Sequence, residues 1–119
     1  MMKEDKENKQ ESVEQLAEMR FGTKLTEFRK MFAPRQLTII EVEGKMAVLK
    51  PITASEMAKY SMILADEENG GLDKAARYLL ETLWLDGDEE LRNDEEYFIS
   101  AMPAIQNVIV LKKSRSAKL

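Results

Sequence analysis

Between Leu72 and Trp84 the apolar residues Leu72, Ala75, Ala76, Leu79, Leu80, Leu83 and Trp84 recur at i, i+3, i+4, i+7, i+8, i+11 and i+12. That spacing is one face of an α-helix, and an unbroken stripe about three turns long must be covered by other parts of the chain. Asp86 and Gly87 end the periodicity. With 119 residues there is material for one modest core that buries about two-thirds of the unfolded surface. The rest of the chain has to supply the cover in short pieces.

Those pieces can be read in order. Residues 1 to about 11 are charged or polar apart from the two leading methionines, and they predict a disordered tail ahead of a single small domain over 12–119. Ser12 with Gln15 fits a capping box, and Val13, Leu16 and Ala17 then follow helical spacing up to Gly22. Thr23 is placed to cap a second short helix carrying Leu25, Phe28 and Phe32, which stops ahead of Pro34 because the residue before a proline avoids helical geometry. In LTIIEVEGKMAVLKPI, β-branched residues flank Gly44 on both sides, and the natural reading is an antiparallel β-hairpin over about 37–51 closed by Pro51. A lone two-stranded ribbon is marginal in water, so the hairpin must pack on helices or pair its edge with a second copy.

Thr53 and Glu56 form a further capping box that opens a helix over about 54–66, predicted to bury Met57, Ala58, Tyr60, Ile63 and Leu64 before DEENGG breaks it. After the Leu72–Trp84 helix comes the acidic connector DGDEELRND. Asn93 with Glu96 predicts the start of a last helix, carrying Phe98, Ala101, Met102, Ile105, Val108 and Ile109 toward Lys112, with a kink or break at Pro103. The basic residues of KKSRSAKL suit the negative end of a helix dipole and then fray from about residue 113. The expected class is α+β, mostly α: short N-terminal helices, one hairpin and three C-terminal helices.

Composition then removes most chemistry. There is no His and no Cys, so neither an imidazole base nor a thiolate is present, and Ser-His-Asp, Cys-His and most zinc sites are excluded. Seven acidic residues between Asp86 and Glu96 invite a calcium loop, but position six is Leu91 where the turn needs Gly, and position twelve is Tyr97 where a bidentate Glu belongs. No glycine-rich phosphate loop occurs. The net charge of −4 opposes a broad nucleic-acid surface. The expectation is a protein with no catalytic residues, no metal and no cofactor. With no secretion signal in the first twenty residues and no apolar run long enough to span a bilayer, the expected location is the cytoplasm, away from membranes.

What is left over is apolar surface. Aromatic residues and eight methionines are many for a fold of short elements, and methionine is over-used on surfaces that accommodate irregular apolar partners, which keeps Met31, Met46, Met57, Met62 and Met102 open as contacts. The candidate partner-binding residues are Phe28 and Phe32, on the short helix whose place in the core is least fixed, and Trp84 and Leu85, at the end of the strongest stripe.

The second half of the chain resembles the phage tail assembly chaperone family over about residues 37–119. The likeness is carried by the hairpin closing on Leu49-Lys50-Pro51-Ile52-Thr53, the helix ending in LETLWLDGDEEL with its Gly87-Asp88 turn, and the helix opened by Asp94-Glu95-Glu96-Tyr97-Phe98. The resemblance implies a small non-enzymatic protein in the cytoplasm of a bacterial host. Such a protein binds the long helical tape-measure protein and keeps it soluble while the tail tube polymerises around it. Alternatives of other kinds are a structural phage tail or head-completion component, and a small protein–protein adaptor.

Overall fold

The computed structural model describes residues 13–119; the expected tail over 1–11 and the Ser12 cap lie outside them. Helix α1 covers 13–21 and Gly22 turns the chain into α2 (Thr23–Phe32). Thr23 is the first residue of α2 and caps nothing: Gly22 holds the N-cap position, and its carbonyl accepts from Leu25 N–H at 3.2 Å. Strands β1 (Thr38–Val42) and β2 (Lys45–Leu49) form the hairpin. The register pairs Val42 with Lys45, leaving a two-residue turn in which Glu43 and Gly44 both take positive φ, 47° and 86°. Such turns match the right-handed twist of the strands and favour glycine, and Glu43 is held beside it by the Gly44 N–H donating to Glu41 Oε1 at 3.0 Å.

Helix α3 (Ala54–Ala65) starts on the expected capping box: Thr53 Oγ1 accepts from Glu56 N–H and Glu56 Oε1 accepts from Thr53 N–H. Burial alone would raise the Glu56 carboxyl, but Lys50 Nζ at 2.8 and 2.9 Å and the Thr53 N–H hold it below its usual range, which ties the end of β2 to α3. Of the residues expected inside this helix Tyr60 is buried, Met57 and Ile63 are half-buried, and Ala58 and Leu64 face solvent. One narrow stripe suffices where a helix packs mainly on a single neighbour, here α4.

The stripe itself is α4 (Leu72–Leu83), and Ala75, Ala76, Leu79, Leu80 and Leu83 are at most 1% exposed. Leu72, at the first turn, projects past the core and remains half-exposed. The helix stops one residue earlier than its periodicity predicts. Trp84 turns extended, and Trp84–Gly87 forms a third strand, β3, antiparallel to β2, giving the sheet order β1-β2-β3. A bulge lies where Val48 faces Asp86 and Leu49 faces Trp84, so Leu85 is the extra residue. The stretch expected to be only an acidic connector forms a one-turn helix, α5 (Glu90–Asn93), because Leu91 is drawn into the larger core, and α6 (Glu95–Ile105) follows it. Asp94, one residue after the expected Asn93, caps α6 by accepting from Glu96 and Tyr97 N–H at 3.0 and 3.2 Å; a carboxylate there also complements the helix dipole. Pro103 sits inside α6, which runs two residues further and tightens into a 3₁₀ turn at Gln106–Val108, so the helical stripe ends well short of Lys112.

The sheet separates two apolar cores, because alternate strand residues face opposite sides. Ile40, Ala47 and Leu49 pack beneath α3, α4, α5 and α6 with Leu79, Leu80, Leu83, Leu91, Phe98 and Ile105. Met46 and Val48 face the other way, against Ala17 and Phe21 of α1 and Leu25 of α2. The result is a mostly helical α+β arrangement with the sheet as its middle layer.

The link between the smaller helical layer and the sheet is electrostatic at one point. Arg20 of α1 donates to both Asp88 oxygens, at 2.6 and 2.7 Å, while Asp88 also accepts Met46 N–H at 2.8 Å and donates its own N–H to Met46 O at 2.8 Å. The Arg20 hydrogen bonds, with Met46 N–H helping against burial, hold the Asp88 carboxyl below the usual carboxylate range. Its contribution to stability is therefore present above the unfolded-state value of about 3.9 and lost as pH falls through the depressed folded value. Asp88→Asn should cost about 1 kcal/mol at neutral pH, discounted because the Arg20 side chain is 41% exposed. Urea titrations of both proteins should converge as the pH drops below about 4; a gap that stayed constant with pH would dissociate Asp88 from this role.

Candidate functional site

The four residues singled out from the sequence do not form one patch. Trp84 and Leu85 are neighbours on a strand, so they point to opposite faces of the sheet. Trp84 packs against the larger core with the Arg92 guanidinium 4.0 Å above its ring, whereas Leu85 packs under the N-terminal helices. Both are half-buried. Phe28 and Phe32 share a stripe of α2 and are half-buried as well, with Phe28 packed on the smaller core. Among the methionines, Met46 is buried, and Met57 and Met102 pack on the larger core, while Met31 and Met62 are 68% and 74% exposed.

The acidic stretch has structural partners. Asp86 lies 3.4 Å from Lys24, Asp88 binds Arg20, Glu89 pairs with Arg92, Glu90 lies 3.6 Å from Lys45, and Asp94 caps α6. Among the described residues no three acidic side chains are gathered as a metal site. Nor is any of their helices long and apolar enough to cross a membrane.

Among the described residues a cleft of about 400 Å³ lies between α1, α2 and the start of the sheet. Pro34 terminates α2 as expected, and the segment after it, Arg35-Gln36-Leu37, swings the chain into β1 and leaves a gap beside α2. Leu25, Leu37 and Ile39 supply an apolar floor, while Glu14, Arg29, Arg35 and Gln36 form the rim. Arg35 is fixed there by donating to Ile52 O at 2.6 Å, and Arg29 lies 3.5 Å from Glu18. Met19 of α1, 81% exposed, and Met31 of α2 add apolar surface on the two helices that wall the cleft.

Among the described residues nothing pairs with the outer side of β1, the sheet edge adjoining this cleft. Both backbone groups of Met46 are taken by Asp88, the N–H by its carboxylate and the carbonyl by its N–H, so Met46 faces β3 and its neighbours Lys45 and Ala47 face β1. By the alternation of an antiparallel ladder, Ile40 and Val42 bond to β2 and the amides and carbonyls of Ile39 and Glu41 point outward. An apolar floor, a rim of both charges and a run of outward backbone groups are features that suit a polypeptide. Leu37 and Ile39 were missed as site residues because in the sequence they are merely the first apolar positions of a strand. The usable signal was Pro34 followed by a short polar connector, which predicts a gap between helix and strand.

The chain matches no protein family, no curated protein and no solved structure.

Proposed function

We propose that this protein is a phage tail assembly chaperone, a polypeptide-binding factor of the host cytoplasm that holds the tape-measure protein in soluble form and performs no chemical step. The observation that carries the proposal is the apolar-floored cleft walled by α1 and α2, two helices that also expose Met19 and Met31. Flexible thioethers and aliphatic side chains accept many apolar helix faces with little demand on sequence, which is what a client with a long helical repeat requires. The sequence resemblance over 37–119 supplies the identity of the client, and the cleft is the part of the molecule suited to hold it.

Affinity at such a site comes mainly from apolar burial. Placing a charge on the floor with Leu37→Glu, or on the exposed face of α2 with Met31→Glu, removes about 60 Å² of apolar contact, worth about 1.5 kcal/mol at 25 cal/mol per Å², or roughly tenfold in affinity. Co-expression with the tape-measure protein is the test. The unaltered chain should move the client into the soluble fraction, and both variants, checked for folding by circular dichroism, should fail to do so. A client equally soluble with and without the chain ends the proposal.

A further inference from the structure

β1 has a neighbour on one side only, and no backbone hydrogen bond other than its ladder to β2 reaches Ile39 or Glu41 among the described residues. The charge along this edge changes from end to end. Arg29 and Arg35 stand at the Leu37 end. At the turn end, Glu43 and Glu96 line a notch of about 210 Å³ with Val42, Tyr97 and Ser100. Open edges are templates for strand pairing, and acidic guards such as Glu41 and Glu43 admit a strand only if it brings cations.

This chain contains such a strand. Val108 is buried and Ile109 packs on the larger core, after which Val110 and Leu111 are 81% and 80% exposed and belong to no helix or strand. Lys112, Lys113, Arg115 and Lys118 follow with no acidic residue among them, although acids outnumber cations over the whole sequence. We propose that residues Val110–Lys113 of one molecule pair with the outer edge of β1 of a second copy, the segment running parallel to β1 so that Lys112 meets Glu41 and Lys113 enters the Glu43–Glu96 notch. The reverse direction sets the lysines against Arg35. Donor segment and acceptor edge are different surfaces of one molecule, so the contact is heterologous and each copy can both give and receive, building rings or chains larger than a dimer. The paired edge adjoins the client cleft and shares Ile39 with it, and the pairing stands whether or not the client is a tape-measure protein.

Light scattering behind size exclusion on the full chain tests it. The mass should rise with concentration beyond two copies and fall toward the monomer at high salt, as screened surface pairing requires. Removing residues 110–119 should give a monomer. Glu41→Lys with Glu43→Lys, and separately Lys112→Glu with Lys113→Glu, should each weaken assembly about tenfold or more. Combining all four changes in one chain should restore it, a result that loss of folding cannot imitate. A monomer at every concentration, or oligomers unchanged after removal of 110–119, overturns the proposal. So does failure of the combined variant to reassemble, and so does a monomer whose own 110–113 amides are protected from hydrogen exchange, since that places the strand on its own edge.

Discussion

Leu83→Ala is expected to lower the unfolding free energy by about 3–5 kcal/mol, the upper range for emptying a leucine site in a core. Leu83 is fully buried in the larger core, and its site has little freedom to collapse. The helix of which it is the last residue passes directly into β3, and its carbonyl accepts Lys50 N–H at 2.9 Å, so the backbone is held to β2 at that point. Cavities that cannot relax are the costly ones. Since a domain of this kind holds about 5–15 kcal/mol in total, this variant should unfold at a far lower urea concentration than the unaltered protein. Leu72→Ala in the same stripe should cost under about 1 kcal/mol, because the Leu72 side chain is 49% exposed. Urea midpoints for the pair provide the check; equal losses would contradict the burial described.

Gly87→Ala should have a comparable effect by the opposite mechanism. A Cβ at Gly87 would stand 2.6 Å from both Ala47 Cα and Met46 O, and 2.8 Å from Ala47 Cβ. Two of these are main-chain atoms of the central strand, so no flexible side chain can swing away. β3 has to lift from β2, and the strain reaches Asp88, whose two bonds to Met46 and two to Arg20 fasten α1 to the sheet. A loss of about 3 kcal/mol or more is expected, at the high end for overpacking. Hydrogen exchange at the Met46 amide should accelerate together with exchange in α1. If Gly87→Ala were neutral in urea, the tight approach of β3 to β2 would be wrong.

The contrast between these two sites shows what could be read in advance. Leu83 belongs to a 3.6-residue periodicity that any window of the sequence displays, and its burial follows from that pattern. The close approach at Gly87 depends on Ala47, forty residues away in the chain, and no local pattern announces it. Asp86 and Gly87 look like a helix stop, and they do follow one; the missing inference was that a four-residue tail to a helix would pair with the free side of a hairpin. Trp84 and Leu85, read as the end of one apolar face, were split across the sheet by that pairing. The cap of the last helix moved from Asn93 to Asp94 because several adjacent residues could accept the first-turn amides, and α5 packing against α6 and β2 sets where that turn begins.

By itself the sequence determined the longer helices, the hairpin turning near Gly44 and the absence of imidazole and thiol chemistry, since each depends on the residues' own side chains and spacing of a few positions. The third strand, the division into two cores, the cleft beside β1 and its open edge were decided by tertiary structure. They arise from backbone groups satisfied or left free by segments distant in sequence, and a backbone amide carries no mark in the sequence of which partner it will find.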